Sequence, residues 1–263
     1  MKIALCLNGL VGNKKRKSFH NKDVTTQDKL ECLELAAKTW QRHVFDLNNI
    51  DVFIHSWEVD IEKEIRTFFN PKKYKFEPQI IFDIEHKPNT NRTQAHYSRW
   101  YGVKQAVNLK LQYEEENNFE YDAVIVSRFD LAWSNDLILS EYDMKYFYVN
   151  SIIINGQWWG FPKSSHAELM DYYFYSNSNY IDHFSLLYDK LGKYNLSVVQ
   201  WNEMSNHALA YAHLKSLGII PDFCLEGQKV AGPHGVALED DYCQTIRREY
   251  FKETLRPGKE YIT

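Results

Sequence analysis

The sequence predicts an α/β protein built on a parallel-centred sheet. Three observations carry that reading. Short apolar, β-branched runs without polar alternation recur at 3–7, 52–54 and 123–126, the pattern of strands covered on both faces. Amphipathic patterns of helical period separate them, and strand–helix alternation makes right-handed crossovers between parallel strands. Each run also leads into polar residues, Asn8, His55 and Arg128, at the edge where α/β sheets bind ligands.

The first strand, 3–7, opens into Asn8-Gly9-Leu10-Val11-Gly12-Asn13 and then the basic cluster Lys14-Lys15-Arg16-Lys17. Glycine lets backbone donors approach a phosphate. Neither the Walker nor the GxGxxG spacing is present, and a solvated loop also explains the segment. Thr25 and Asp28 mark a helix start. Leu30, Leu33, Ala37, Trp40 and Val44 carry that helix to about Phe45. A second strand over 51–57 and a second helix over 59–69 follow, and Gln79-Ile80-Ile81-Phe82-Asp83 reads as the third strand. The longest helical pattern, 93–116, places Tyr97, Trp100, Val107 and Leu111 on one face and leads into the strand at 123–126.

Beyond it, 145–150 and 151–155 read as strands, and Gly156-Gln157-Trp158-Trp159-Gly160-Phe161-Pro162 as an aromatic turn. Ser165-His166-Ala167-Glu168 reads as a capping box opening a helix to Tyr175. Helices over 181–191 and 202–217, a strand over 219–224 and the loop Ala231-Gly232-Pro233-His234-Gly235 complete the pattern. No repeat or linker interrupts it, so the chain reads as one continuous domain with two lobes.

The chain has 263 residues, 44% hydrophobic and 25% charged, an ordinary globular balance. A net charge of −4 offers no general attraction to nucleic acid or anionic membrane. No run approaches the ~20 apolar residues that span a bilayer. Cys6, Cys32, Cys224 and Cys243 are scattered without zinc spacing, which predicts reduced thiols and a cytoplasmic location. Asn8 and Gly9 interrupt the amino-terminal apolar run early, so it reads as a strand rather than a signal peptide. Nothing in the pattern specifies an oligomeric state.

The central stretch is Tyr121-Asp122-Ala123-Val124-Ile125-Val126-Ser127-Arg128-Phe129-Asp130-Leu131. Arg128 and Asp130 fall just past its strand and admit two readings, a ligand site or a solvated turn with an ion pair. Together with Lys2-Ile3-Ala4-Leu5-Cys6-Leu7-Asn8-Gly9, Asp51-Val52-Phe53-Ile54-His55-Ser56-Trp57 and Tyr97-Ser98-Arg99-Trp100-Tyr101, in that order along the chain, it resembles a family of short GT-A-type glycosyltransferases. Members occur in bacteria, phages and large DNA viruses.

The resemblance implies a GT-A-like, Rossmann-type mixed and mainly parallel sheet flanked by helices. Residues 1–131 would form the nucleotide-binding half and 132–263 the acceptor-binding half of a single domain. It implies a UDP- or GDP-sugar as donor and a hydroxyl of a glycan or related acceptor as the receiving group. The usual Asp-x-Asp is here Arg128-Phe129-Asp130, a form this family also carries. Asp130 is then the expected ligand of Mn²⁺ or Mg²⁺, and His234 is either a further ligand or an ordinary surface histidine of its loop. Arg128 and Arg99 are expected on phosphate oxygens.

Leu7, Asn8, Gly9, His55 and Trp57 fall at the nucleotide edge, with Trp57 either stacking on a base or buried. Trp158 and Trp159 are candidates for packing on an acceptor sugar, or for ordinary core. Glu203 is the candidate catalytic base, a role a first-turn helix acid also mimics. The rival class is a nucleotide- or glycan-binding α/β module without turnover, favoured by the missing first aspartate.

Overall fold

The computed structural model describes residues 1–11, 25–84, 91–133, 135–149, 152–154, 167–169, 171–197, 205–219, 235–237 and 243–245. The strands are β1 (Ile3–Gly9), β2 (Ile50–Ser56), β3 (Lys73–Phe76), β4 (Ala123–Arg128), β5 (Leu131–Trp133), β6 (Phe147–Val149), β7 (Ile152–Ile154), β8 (Ala167–Leu169), β9 (Tyr173–Ser176), β10 (Gly235–Ala237) and β11 (Cys243–Thr245). The helices are α1 (Thr26–His43), α2 (Glu62–Phe69), α3 (Asn91–Asn117), α4 (Ser178–Ser185), α5 (Leu187–Ser197) and α6 (Asn206–Ser216).

Among the described residues the main sheet has seven strands in the order β10-β6-β9-β4-β1-β2-β3. Pairings β3–β2, β2–β1, β1–β4 and β6–β10 are parallel, while β9 runs antiparallel between β4 and β6. The fold is therefore α/β with a mixed, mainly parallel sheet flanked by helices, compatible with a Rossmann-like arrangement. Two small antiparallel pairs, β5–β11 and β7–β8, lie beside it.

Both faces of the sheet are covered, which is why its central strands read as unbroken apolar runs. Ala4, Cys6, Val124 and Val126 point to a core shared with Trp100, Val103 and Val107 of α3, Ile181 and Phe184 of α4, and Leu209 and Leu214 of α6. Ile3, Leu5, Leu7, Ala123 and Ile125 point to the opposite core, shared with Leu33, Ala36 and Trp40 of α1 and Ile65 and Phe69 of α2. Helix α1 begins at Thr25 with the expected capping box to Asp28. Among the described residues Cys6 and Cys32 are buried, and no helix is long and apolar enough to cross a membrane.

Four sequence expectations need correction. The third strand is Lys73–Phe76, not 79–83. It is an edge strand of the described sheet, so lysines serve there where a buried strand needs apolar side chains. The run chosen for hydrophobicity leaves Ile81 84% exposed. Residues 77–84 are held instead by the Gln94 side chain, which accepts from Phe82 N (2.8 Å) and donates to Phe82 O (2.7 Å).

The helix expected from Ser165 to Tyr175 is also absent over its described part, which forms β8 and β9. Tyr173 and Tyr175 face one core and Phe174 the other, an alternation that aromatic residues satisfy well on a pleated strand. The helix expected at 181–191 is two, α4 and α5, separated at Leu186. Of the strand expected at 219–224, Ile219 is described and is not in a strand, while 220–224 lie outside the described residues.

Packing of α4, α5 and α6 produces one buried titratable group. His213 Nδ1 lies 2.9 Å from Tyr194 Oη, and Nε2 lies 3.0 Å from the His183 carbonyl. Nε2 must donate to that carbonyl, so the neutral ring accepts at Nδ1. Burial pushes its pKa down to about 4 from 6.5, and the hydrogen bond to His183 only partly opposes this. The unfolded chain thus binds the extra proton first as pH falls. The stabilisation is full above pH ~6.5 and is lost progressively towards pH ~4, a change of about 3 kcal/mol. Urea unfolding of wild type and His213→Gln between pH 7 and 4 should show a steeper decline in the wild type; parallel declines would refute it.

Candidate functional site

The chain passes from β1 through α1 to β2 and β3 on one side, then returns through α3 to β4 on the other. That reversal is a topological switch point; in open α/β sheets the ligand-binding crevice lies there, beyond the carboxyl ends of the strands that correspond to β1 and β4. In register, Asn8 of β1 lies beside Arg128 of β4.

Asn8 is fastened to both of its neighbours. Its Nδ2 donates to the Ser127 carbonyl at 2.9 Å, and its Oδ1 accepts from Arg99 Nη1. Leu7 is in the core beneath. Gly9 has φ +99°, a left-handed conformation that suits glycine. Its carbonyl accepts from Ser56 Oγ at 2.9 Å, tying the exits of β1 and β2 together.

Arg99 reaches this point because α3 packs unusually close. A Cβ on Gly102, one turn further along, would sit 3.3 Å from His55 Nδ1 and 3.6 Å from Asn8 Cβ. Arg99 Nη2 donates to the Asp171 carbonyl at 2.8 Å, and Nε lies 3.7 Å from Asp171 Oδ2. Burial pushes the Arg99 pKa down to about 10, with Asp171 opposing.

Arg128 points its fork at Asp130, with Nε to Oδ1 at 2.7 Å and Nη2 to Oδ2. Its Nη1 lies 3.9 Å from Asp171 Oδ1, and the guanidinium sits 5.8 Å from the centre of the Tyr172 ring. Burial opposes the charge on Arg128, but Asp130 and Asp171 raise its pKa. The Asp171 carboxylate, 7% exposed, sits among Arg99, Arg128 and His207. Burial alone would push this carboxyl up; Arg128, His207 and Arg99 together hold it below its ordinary value. The cluster therefore joins two guanidinium groups, two carboxylates and an imidazole.

Beside it, His55 Nε2 lies 2.9 Å from Glu77 Oε1, and Lys75 and Tyr101 also reach Glu77. Burial lowers the His55 pKa, with Glu77 opposing. Trp57 is buried. Its ring stacks on Tyr101 with centroids 5.5 Å apart and meets His55 edge-on at 4.6 Å. One face of Trp57 is thus taken, so it forms part of the wall rather than an open stacking surface.

Of the residues singled out in the sequence, Asn8, Arg99, Arg128 and Asp130 converge. Leu7, Gly9, His55 and Trp57 support that convergence from below and beside it. Trp158, Trp159, Glu203, His234 and the basic cluster at 14–17 lie outside the described residues.

Asp171, His207 and Glu77 escaped the sequence reading. Asp171 precedes a strand antiparallel to β4, so the start of that strand lies beside the ends of β1 and β4. Reading the segment as a helix hid it.

A divalent ion such as Mn²⁺ or Mg²⁺ wants several oxygen ligands around it. Among the described residues no group of three or more His, Cys, Asp or Glu is arranged to hold one. Both oxygens of Asp130 are engaged by Arg128. The described residues alone do not fit such an ion. No protein-family model matches the chain, and no curated protein matches it.

Proposed function

We propose that the chain is a GT-A-type glycosyltransferase. It takes a sugar from a UDP- or GDP-sugar and passes it to a hydroxyl of a glycan or related acceptor. One observation carries the reading: Arg99 and Arg128 converge with Asn8 in the crevice between β1 and β4. Planar guanidinium forks match phosphate oxygens, and partial burial strengthens each contact.

In this reading the two arginines receive the diphosphate as negative charge grows on it during departure of the sugar. Asp171 and Asp130 keep the forks oriented before the donor arrives, so little reorganisation accompanies the reaction. Phosphate oxygens would then exchange with the carboxylates on the Arg128 fork. The closed Arg128–Asp130 pair also suits the second reading, a binding module without turnover.

The test begins with binding. UDP or GDP is expected to raise the melting temperature well above the shift from uridine or guanosine, because the diphosphate meets the arginines. Ligand at about a hundred times Kd contributes about 2.7 kcal/mol. Equal shifts from nucleoside and nucleoside diphosphate would sink the proposed site. Release of free sugar from a nucleotide-sugar donor then separates a transferase from a binding module.

A further inference from the structure

We infer that His207 is the general base of this site and that Asp171 is its positioning residue, an inference that rests on the transferase reading. Ser205 caps α6, its Oγ accepting from Ala208 N at 2.9 Å, which sets His207 in the first turn. His207 Nδ1 lies 2.8 Å from the Leu169 carbonyl and 3.4 Å from Asp171 Oδ1. The Asp171 backbone N–H also points at Nδ1, from 3.2 Å, as a longer and competing contact. The carbonyl at 2.8 Å is the shortest of these contacts and can only accept, so Nδ1 carries the proton. The neutral ring then has its lone pair on Nε2, which has no partner among the described residues. The side chain is 28% exposed, so the ring is reachable from solvent while its other nitrogen is anchored.

The same Asp171 carboxylate touches Arg99 and Arg128. One buried acid therefore links the imidazole to the cations that meet the leaving group. An imidazole oriented through Nδ1 and open at Nε2 is the arrangement of a general base.

The step is a single displacement. Nε2 takes the proton of the acceptor hydroxyl as its oxygen bonds to the anomeric carbon. The bond from that carbon to the diphosphate oxygen breaks, its electron pair leaving on the phosphate beside Arg99 and Arg128. The imidazolium later returns its proton to solvent. Attack opposite the leaving group inverts the anomeric configuration.

Hydrolysis, with water as acceptor, tests this without knowledge of the natural acceptor. UDP-glucose, UDP-galactose, UDP-N-acetylglucosamine and GDP-mannose serve as probes, ranked by thermal shift. In His207→Gln the melting shift from the best donor should persist while hydrolysis falls roughly 10²–10⁴-fold. In His207→Ala, added imidazoles should restore hydrolysis in order of their basicity, which a merely structural histidine would not produce. Proton NMR should show the β anomer released first from an α-linked donor.

Hydrolysis unchanged in His207→Gln, an α anomer released first, or a donor that binds wild type without turnover would each overturn the base. All three leave the donor site standing. Absence of both binding and hydrolysis across the probes would overturn the transferase reading and this inference with it.

Discussion

Lys110→Met is expected to cost the fold about 3–5 kcal/mol, the range for breaking a buried ion pair from one side. Lys110 is 0% exposed, with Nζ 2.8 Å from both Glu114 Oε2 and Asp182 Oδ1 and hydrogen-bonded to Ser178 Oγ. Glu114 Oε1 in turn accepts from Tyr121 N at 2.8 Å, fixing the turn into β4. Methionine fills the same volume yet leaves two carboxylates facing each other without a cation. Burial already pushes the Asp182 carboxyl up, and Lys110 is what opposes that push.

Urea unfolding should therefore show a lower midpoint at unchanged slope. The triple change Lys110→Met, Glu114→Gln, Asp182→Asn should recover most of the loss, because it removes the stranded charges as well. A loss below about 1 kcal/mol in the single variant would mean that solvent reaches the cluster. The position matters for the site as well: Lys110 lies about three turns along α3 from Arg99 and helps fix that helix against α4.

Much of this architecture was legible because burial on both faces leaves an unambiguous mark. The runs that became β1, β2 and β4 had no polar alternation, and the helices between them kept one apolar face. Asn8, Arg128 and Asp130 were legible for a related reason: polar residues at the ends of apolar strands have few structural tasks, whereas Arg99, on helix α3, was legible only through the family resemblance. What failed depended on contacts that local pattern does not encode. Strand β3 is polar because nothing described pairs with its outer edge, while Ile80 and Ile81 suggested a strand that the fold places in an exposed segment.

The aromatic run at 173–175 suits a strand, whereas the capping-box sequence ahead of it favours a helix locally. The difference matters at the site. A helix there puts Asp171 in its second turn, whereas the antiparallel β9 delivers it to the arginines. His207 had no visible role until Asp171 and the Leu169 carbonyl were beside it.

Arg99 touches both the fold and the proposed donor site, and its replacement should separate stability from binding. Three nitrogens of one guanidinium address Asn8 Oδ1, the Asp171 carbonyl at 2.8 Å and Asp171 Oδ2 at 3.7 Å. Arg99→Met removes the cation and strands much of the Asp171 charge, since Arg128 Nη1 lies 3.9 Å away and the Nε and Nη2 of the same fork are committed to Asp130. A loss of about 3–5 kcal/mol is expected, together with loss of the nucleoside-diphosphate thermal shift.

Arg99→Lys keeps the charge near Asp171 and should return most of the stability. A single ammonium on a flexible stem has no planar fork, so it cannot hold Asn8 and the Asp171 carbonyl while also presenting an ordered donor to phosphate. Its diphosphate affinity should stay roughly ten- to hundredfold below wild type, matching the loss of one charge-assisted contact. Isothermal titration of UDP and GDP, paired with urea unfolding of the same samples, measures both quantities. If Arg99→Lys restored affinity and stability alike, charge alone would suffice, and the oriented fork would have no special part in the crevice. If Arg99→Met left both unchanged, neither the cluster around Asp171 nor the donor site built on it would stand.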